Sequence, residues 1–266
     1  MTEPLVSIIT PAYNSEKFIS ETIKSVIAQT YKNWEMIIVD DCSDDRTCQI
    51  VNSWVKKDKR IKLIRKKINS GAADSRNIAL ENSKGRFIAY LDADDIWYPN
   101  KLSKQVKFMM EMKCGFSCCS YEVIDSDGES KNKYIYMKDI LDYKGFLTNN
   151  LLQTVGIMAD LKIIERNNLI MPDMKRRQDA ATWLQVLKSG KKCYGMKEIL
   201  AKYRRVEGSL SSNKLKAAQG VWYLYRNVEK LSLILSIYCY IRYALLAIWK
   251  RIYVNNYSQK RCSIDN

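Results

Sequence analysis

Apolar positions along the chain come in short bursts separated by amphipathic stretches. Residues 5–10 (LVSIIT) form a continuous β-rich run closed by Pro11, the pattern of a strand buried on both faces. Phe18, Ile19, Ile23, Val26 and Ile27 then recur at helical spacing within residues 15–30, with Ser15 placed as an N-cap. Residues 34–39 (WEMIIV) make a second strand that runs into Asp40-Asp41, and Asp44 or Asp45 can cap a helix ending near Trp54. Residues 61–65 read as a third strand, 72–82 as a helix, and 87–91 (FIAYL) as a fourth strand ending in Asp92. This alternation predicts an α/β fold with a mainly parallel sheet flanked by helices. Beyond residue 100 the pattern predicts a helix over 101–112, a strand over 116–124, a turn at 125–128 and a helix over 179–187, while 140–159 fits neither period. Asp125 and Asp127 resemble the start of a calcium loop, but its twelfth position is Tyr136 and not Glu, which rejects that reading.

Three of the strands run into polar or acidic residues: Thr10 with Tyr13 and Asn14, Asp40 with Asp41, and Asp92 with Asp94 and Asp95. In an open α/β sheet, ligands bind beyond the carboxyl ends of the strands, so the three clusters should line one crevice. Alternate side chains at a strand end point the same way. Asp92 and Asp94 are therefore placed to share Mg2+ or Mn2+ with phosphate oxygens, with Asp95 placed to assist.

Composition narrows the chemistry. The chain has 266 residues, 47% hydrophobic and 27% charged, enough for a full core. It contains no histidine, which excludes His-ligated zinc, Ser-His and Cys-His nucleophile pairs, and imidazole as a general base. Acid–base work must fall to carboxylates, Lys, Tyr or Cys. The eight cysteines include no CxxC pair, so they read as apolar fillers of a reduced, cytoplasmic protein. No basic segment precedes the first apolar run, so no signal peptide is read. Neither GxGxxG nor a Walker loop occurs.

The formal net charge is +15, and it is concentrated late in the chain. Between Lys191 and Cys262, fifteen Lys and Arg face three acids. Inside this stretch, residues 231–249 (LSLILSIYCYIRYALLAIW) carry one charge, Arg242, between Lys230 and Lys250-Arg251. A central Arg costs about 2.5–3.5 kcal/mol to insert across a bilayer. Ser232, Ser236, Cys239, Arg242 and Tyr243 fall on one side at helical spacing, which suits a helix lying in the interface better than one crossing it. The expected partner of this tail is an anionic membrane surface, at the inner face of the plasma membrane. Nucleic acid is not expected, because no basic motif interleaved with aromatics is present.

Four motifs occur in order: Thr10-Pro11-Ala12-Tyr13-Asn14; Ile38-Val39-Asp40-Asp41-Cys42-Ser43-Asp44-Asp45; Asn69-Ser70-Gly71 with Ser75-Arg76-Asn77; and Gly85 to Asp95 (GRFIAYLDADD). With them the chain resembles the family 2 glycosyltransferases, inverting enzymes of the GT-A fold, of the kind that assemble bacterial polysaccharides. The resemblance covers about residues 4–210. It implies a GT-A domain over 1–210, with a nucleotide-sugar half to about residue 100 and an acceptor half after it, followed by a basic, apolar helical tail over 211–266. It further implies that Pro11, Ala12 and Tyr13 line the nucleotide pocket with Asn14, Asp41 contacts the base, and Asp40 supports it. Gly71 would admit the nucleotide to the backbone, and Arg76 would sit near the base, the phosphates or the acidic cluster. Asp94, with Asp92 and Ala93 beside it, would meet the ribose and a Mn2+ or Mg2+ ion, and Asp92 and Asp95 would complete the metal site.

The family's general base maps onto Arg176-Arg177-Gln178-Asp179, where Gln178 replaces a frequent first acid and Asp179 remains. Asp173 is the runner-up. Arg176 and Arg177 would lower the pKa of Asp179 or hold a phosphate, and Arg204 and Arg205 would contact donor or acceptor phosphates ahead of a Ser-rich segment at Ser209–Ser212. The processive pattern Gln-x-x-Arg-Trp is absent. The resemblance thus implies metal-dependent transfer of one sugar, with inversion, from a nucleotide-diphosphate sugar, most often a UDP-sugar. The acceptor would be a hydroxyl of a glycan or of a lipid-diphosphate-linked oligosaccharide. The rival reading is a non-catalytic nucleotide-sugar or polyanion-binding module, and the retained acids argue against it.

Overall fold

The computed structural model describes residues 3–149, 151–206 and 214–246, apart from the side chains of 214–217. The chain begins as the alternation predicts: β1 (Val6–Ala12), α1 (Ile19–Ile27), β2 (Trp34–Asp40), α2 (Thr47–Lys57), β3 (Ile61–Arg65), α3 (Ala72–Glu81) and β4 (Phe87–Tyr90). These four strands pair in parallel in the order β3-β2-β1-β4. Burial on both faces explains the apolar runs of β1, β2 and β4, while β3 at the sheet edge is only partly buried. Pro11 does not end β1. The strand continues to Ala12 against β2, while its pairing with β4 ends at Ile9 opposite Tyr90. Pro11 faces the side β4 has already left, so its missing N–H breaks no ladder bond.

The rest of the sheet contains β5 (Ile96–Trp97), β6 (Phe116–Ile124), β7 (Ser130–Ile135), β8 (Ile140–Leu141), β9 (Ile157–Asp160) and β10 (Cys193–Arg204). Its order continues β4-β9-β6-β10-β5, with β7 and β8 paired to the side. This half adds antiparallel members to the mainly parallel sheet. β6 and β10 run parallel to each other, but β9 lies antiparallel between β4 and β6, and β5 antiparallel on β10. The ambiguous stretch 140–159 supplies β9, which reverses direction and so needs no crossover helix. One consequence carries over to the site. β6 and β10 point the same way as β1, β2 and β4, so their carboxyl ends share one edge.

Helices α4 (Lys101–Glu111), α5 (Tyr143–Thr148) and α6 (Gln178–Lys188) complete the body. Trp183 mounts α6 on the sheet: its buried ring meets Tyr90 edge-on at 5.1 Å and Phe116 at 5.6 Å. Ser15 does not cap α1. Its hydroxyl donates to the Tyr13 carbonyl, and its own carbonyl receives the N–H groups of Phe18 and Ile19. Asp45 does open α2: one carboxylate oxygen accepts the Thr47 N–H at 2.8 Å and the other the Glu16 N–H at 3.0 Å.

The tail packs on this body. α7 (Lys214–Tyr223) passes through a π-helical turn, Leu224–Val228, and a further helix, α8, spans 233–246. Val221, Leu224, Tyr225 and Cys239 join the main core. A Cβ on Gly220 would sit 3.4 Å from the Arg177 side chain and 3.5 Å from that of Arg176, so glycine lets α7 lie close to the start of α6. Among the described residues no helix is long and apolar enough to cross a membrane. The Ser-rich segment Ser209–Ser212 and residues 247–249 of the apolar stretch lie outside the described residues.

Candidate functional site

The site edge is built loop by loop. At the end of β1, Pro11 and Ala12 are buried, and Tyr13 just beyond it is half exposed. Asn14 adopts a positive φ of 45°. Its N–H donates to the Ser43 hydroxyl, and its side-chain oxygen accepts the Asp44 N–H at 3.0 Å. Asp40, fully buried, accepts both the N–H and the hydroxyl of Ser43. Asp40 thus holds the loop that holds Asn14, and the two strand ends are tied together before any ligand arrives.

Asp41 does the same for the third loop. One carboxylate oxygen accepts from Lys66 Nζ at 2.6 Å and from the Ser70 N–H at 3.0 Å, and the other from the Gly71 N–H at 2.7 Å. That leaves an acceptor position on the second oxygen for a further donor. Gly71 has φ +93°, and a Cβ there would meet nothing within 4 Å. Its glycine is therefore required by backbone conformation, not by close approach of another chain segment. Lys66 was missed by sequence reasoning. Burial lowers its pKa, but Asp41 and Asp74, the latter 2.7 Å away, outweigh this and raise it. The available signal was its position directly after β3, at the fourth parallel strand end of the same edge.

The three acids after β4 go three ways. Asp92 is partly exposed and accepts from Arg76 on α3 at 2.5 Å. Arg76 is buried, and its Nε has no partner. Burial works against its charge, but Asp92 and then Asp179 hold it protonated. Asp94 lies between them in the chain, its carboxyl pushed up to about 6 by burial and by Asp92. Asp95 is turned inward, 1% exposed, and accepts the Arg204 N–H at 2.8 Å. Burial, then Asp94 and Asp92, raise its pKa well above the usual carboxylate range.

Two expectations are corrected by this geometry. Asp95 does not complete a metal site, because its side chain belongs to the interior. Among the described residues no three acidic or thiol side chains converge to hold a metal ion. What remains is Asp94, with excess negative charge around it, and the second oxygen of Asp92. That donor set fits a divalent cation of the kind held by one or two carboxylates plus substrate phosphates. Arg204 is the second correction. Its guanidinium is 1% exposed and makes four donations, to the Asp94 carbonyl at 2.8 Å, to the carbonyls of Asp125 and Ser126, and to Glu21 at 2.5 Å. It clamps the acidic loop to α1 and to the turn after β6, and, being buried, it presents no open face to a phosphate. Glu21, its ionic partner, was not singled out from sequence and carries no motif. Arg205 is exposed just beyond β10.

Asp179 lies half buried in the first turn of α6. Its charge adds to that of Asp92 in holding Arg76 protonated, Asp92 through a direct ion pair. Arg177 precedes α6 with φ 65° and donates to the Tyr243 hydroxyl of α8 at 3.0 Å. That contact ties it to the tail. Arg176 is half buried and Asp173 is exposed.

Comparison with known proteins adds an independent line. The sequence model described as Glycosyl transferase family 2 matches residues 7–167. TuaG of Bacillus subtilis, whose name assigns it to teichuronic acid biosynthesis as a glycosyltransferase, is 44% identical over 94% of this chain and 98% of its own. WfgD of Escherichia coli, named as a UDP-Glc:alpha-D-GlcNAc-diphosphoundecaprenol beta-1,3-glucosyltransferase, is 38% identical over 84% of this chain and 85% of its own. Among solved structures, S. aureus TarS in complex with UDP-GlcNAc superposes with a TM-score of 0.70 at 20% identity, covering 90% of this chain and 71% of that one. The mannosyltransferase PcManGT from Pyrobaculum calidifontis, in complex with GDP-Man and Mn2+, gives 0.65 at 15% identity, covering 99% and 81%. The parallel strand ends, the acidic loop after β4 and the carboxylate opposite it thus meet in a GT-A framework, and this chain belongs to glycosyl transferase family 2.

Proposed function

We propose that this glycosyltransferase moves one sugar from a UDP-sugar to a hydroxyl of a lipid-diphosphate-linked acceptor, with inversion, during assembly of a cell-surface polysaccharide. The observation that carries the reading is Arg76, which pairs with Asp92 on the donor loop and lies within the field of Asp179 on α6. Donor loop and candidate base thereby address one crevice. The names of the relatives point the same way, toward teichuronic acid and toward sugar–diphosphoundecaprenol acceptors. TarS binds UDP and UDP-GlcNAc, which supports the choice of nucleotide.

In this reading Tyr13, Pro11 and the Asp41–Gly71 loop receive the nucleoside. Asp94 and the outer oxygen of Asp92 would hold Mn2+ or Mg2+, which supplies charge neutralisation of the leaving diphosphate. Asp179 accepts the proton of the acceptor hydroxyl. The oxygen attacks the anomeric carbon from the face opposite the diphosphate, the new C–O bond forms as the sugar–phosphate bond breaks, and UDP leaves. Arg76 holds Asp92 in place and balances the acids around it.

The test is calorimetric titration of UDP, GDP and dTDP with and without Mn2+, followed by turnover of variants. Metal-dependent binding of UDP that Asp94→Ala weakens at least tenfold supports the donor site. Asp179→Asn should keep UDP affinity and lose about 10²–10⁴-fold in kcat. Full turnover in that variant removes Asp179 from the mechanism.

A further inference from the structure

α8 is built inside out. At about 100° per residue, Ile234, Ile237, Tyr238, Ile241 and Leu245 fall within a sector of about 100°, and all are exposed, Ile234 at 83% and Leu245 at 60%. The opposite side carries Ser236 and Cys239, both buried, with Tyr240 and Tyr243 partly buried beside them. Ser236 stays satisfied by donating to the Ser232 carbonyl one turn back at 2.8 Å. A helix of a water-facing surface would be turned the other way. Exposed apolar stripes of this kind mark interaction surfaces.

We infer that α8 lies flat in the surface of an anionic lipid bilayer, with Ile234, Ile237, Ile241 and Leu245 among the acyl chains, while its inner face holds the start of α6. Three observations select a bilayer over a second copy of the chain. First, the stripe is confined to one helix about 21 Å long over its described residues, and its part-exposed side chains together stay below the roughly 800 Å² per partner of a stable interface. Second, the stripe is edged by groups suited to headgroups. Arg242 is exposed and donates to the Tyr238 hydroxyl at 3.1 Å, Lys230 precedes the helix, and Lys250 and Arg251 follow in the sequence. Third, over its described residues the helix is not long and apolar enough to cross, and its inner side is polar.

The inner face gives the contact a catalytic consequence, which rests on the functional reading above. Tyr243 receives the Arg177 guanidinium two residues before Asp179, and α7 packs on the same segment through Gly220. A lipid-linked acceptor would then reach the base from the surface to which α8 is bound.

The test is flotation of the full chain with vesicles of phosphatidylglycerol and phosphatidylcholine, or of phosphatidylcholine alone, with no donor or acceptor present. Wild type should float with the anionic vesicles. Ile234→Glu with Ile241→Glu should reduce that fraction at least tenfold, with UDP affinity and Tm unchanged because both side chains are exposed. Ile234→Ser alone should give a smaller loss and guards against misfolding of the double variant. Wild type that stays in the aqueous phase, equal flotation of the variants, or a wild-type dimer dissociated by Ile234→Glu would each overturn the inference. Flotation and UDP titration are read separately, so failure of one leaves the other standing.

Discussion

The loops after β1 and β2 and the acidic loop after β4 sit on one edge but are held by opposite means. The first two are braced by residues about thirty positions apart, Asn14 with Ser43 and Asp44, and Asp41 with Ser70 and Gly71. The acidic loop is braced by Arg204, 109 residues from Asp95 and 110 from Asp94. The nearer braces follow from two consecutive βα units, so forming them costs little extra chain ordering. The distant brace exists only once β10 has joined the sheet. The nucleotide end of the site is therefore locally self-supporting, whereas in the acidic loop only Asp92 has a near brace, Arg76 sixteen residues away, and the segment at Asp94 and Asp95 depends on the completed fold.

That contrast can be broken most forcefully at Arg204. Arg204→Ala strips three main-chain carbonyls and the half-exposed Glu21 of their donor, a loss of the order of 3 kcal/mol from acceptors left unpaired. Urea denaturation should show it. Arg204→Lys should recover part of the stability, yet its UDP affinity in Mn2+ should remain weaker than wild type because one ammonium cannot span the same acceptors. Wild-type donor affinity in the lysine variant would show that the acidic loop does not need its distant brace.

Lys101 sharpens the comparison at an intermediate size. It is fully buried in α4, its ammonium without a hydrogen-bond partner and 3.7 Å from the centre of the Trp97 ring. Burial lowers its pKa from 10.5 to about 8. The unfolded chain therefore binds the proton more tightly, and between about pH 8 and 10.5 it carries more protons than the folded one. Stability attributable to this group rises with pH across that window, and the full cost, of the order of 3 kcal/mol, is present below pH 8. Lys101→Met should raise stability at pH 7 by about 2–3 kcal/mol, with the gap to wild type closing by pH 10. An equal or lower urea midpoint for the variant at pH 7 would show that the Trp97 ring already compensates the charge.

The smallest expected effect is at a local brace. Asp45→Ala removes the acceptor for the Thr47 and Glu16 N–H groups and should cost about 1 kcal/mol. Because the brace is local, UDP affinity should change less than twofold. A larger loss of affinity than that of Arg204→Lys would reverse the ranking of near and far supports.

Much of the first ninety residues was legible because two periodicities agree there. Mostly apolar runs of four to seven residues mean strands buried on both faces, and apolar repeats at helical spacing between them mean crossover helices. The convergence of Thr10, Asp40 and Asp92 followed from parallel order alone. Asp95 and Arg204 were misread for one shared reason. A charged residue next to a motif looks available in sequence, and burial with a partner more than a hundred positions away is invisible there. In the tail the amphipathic period was visible, but which side faced the body was not.

The sequence by itself determined the parallel α/β unit, the order of its loops, the absence of imidazole chemistry and the acids offered at the strand ends, because these depend on local periodicity and residue type. Tertiary structure decided which acids stay in the crevice and which go inside, that Arg204 braces rather than binds, and that α8 turns its apolar side outward. Those outcomes depend on what the distant chain places against each residue. Where β10 lands beside the acidic loop, Asp95 finds a buried donor. Where Tyr243 meets Arg177, the tail has only one face left for its isoleucines and leucines.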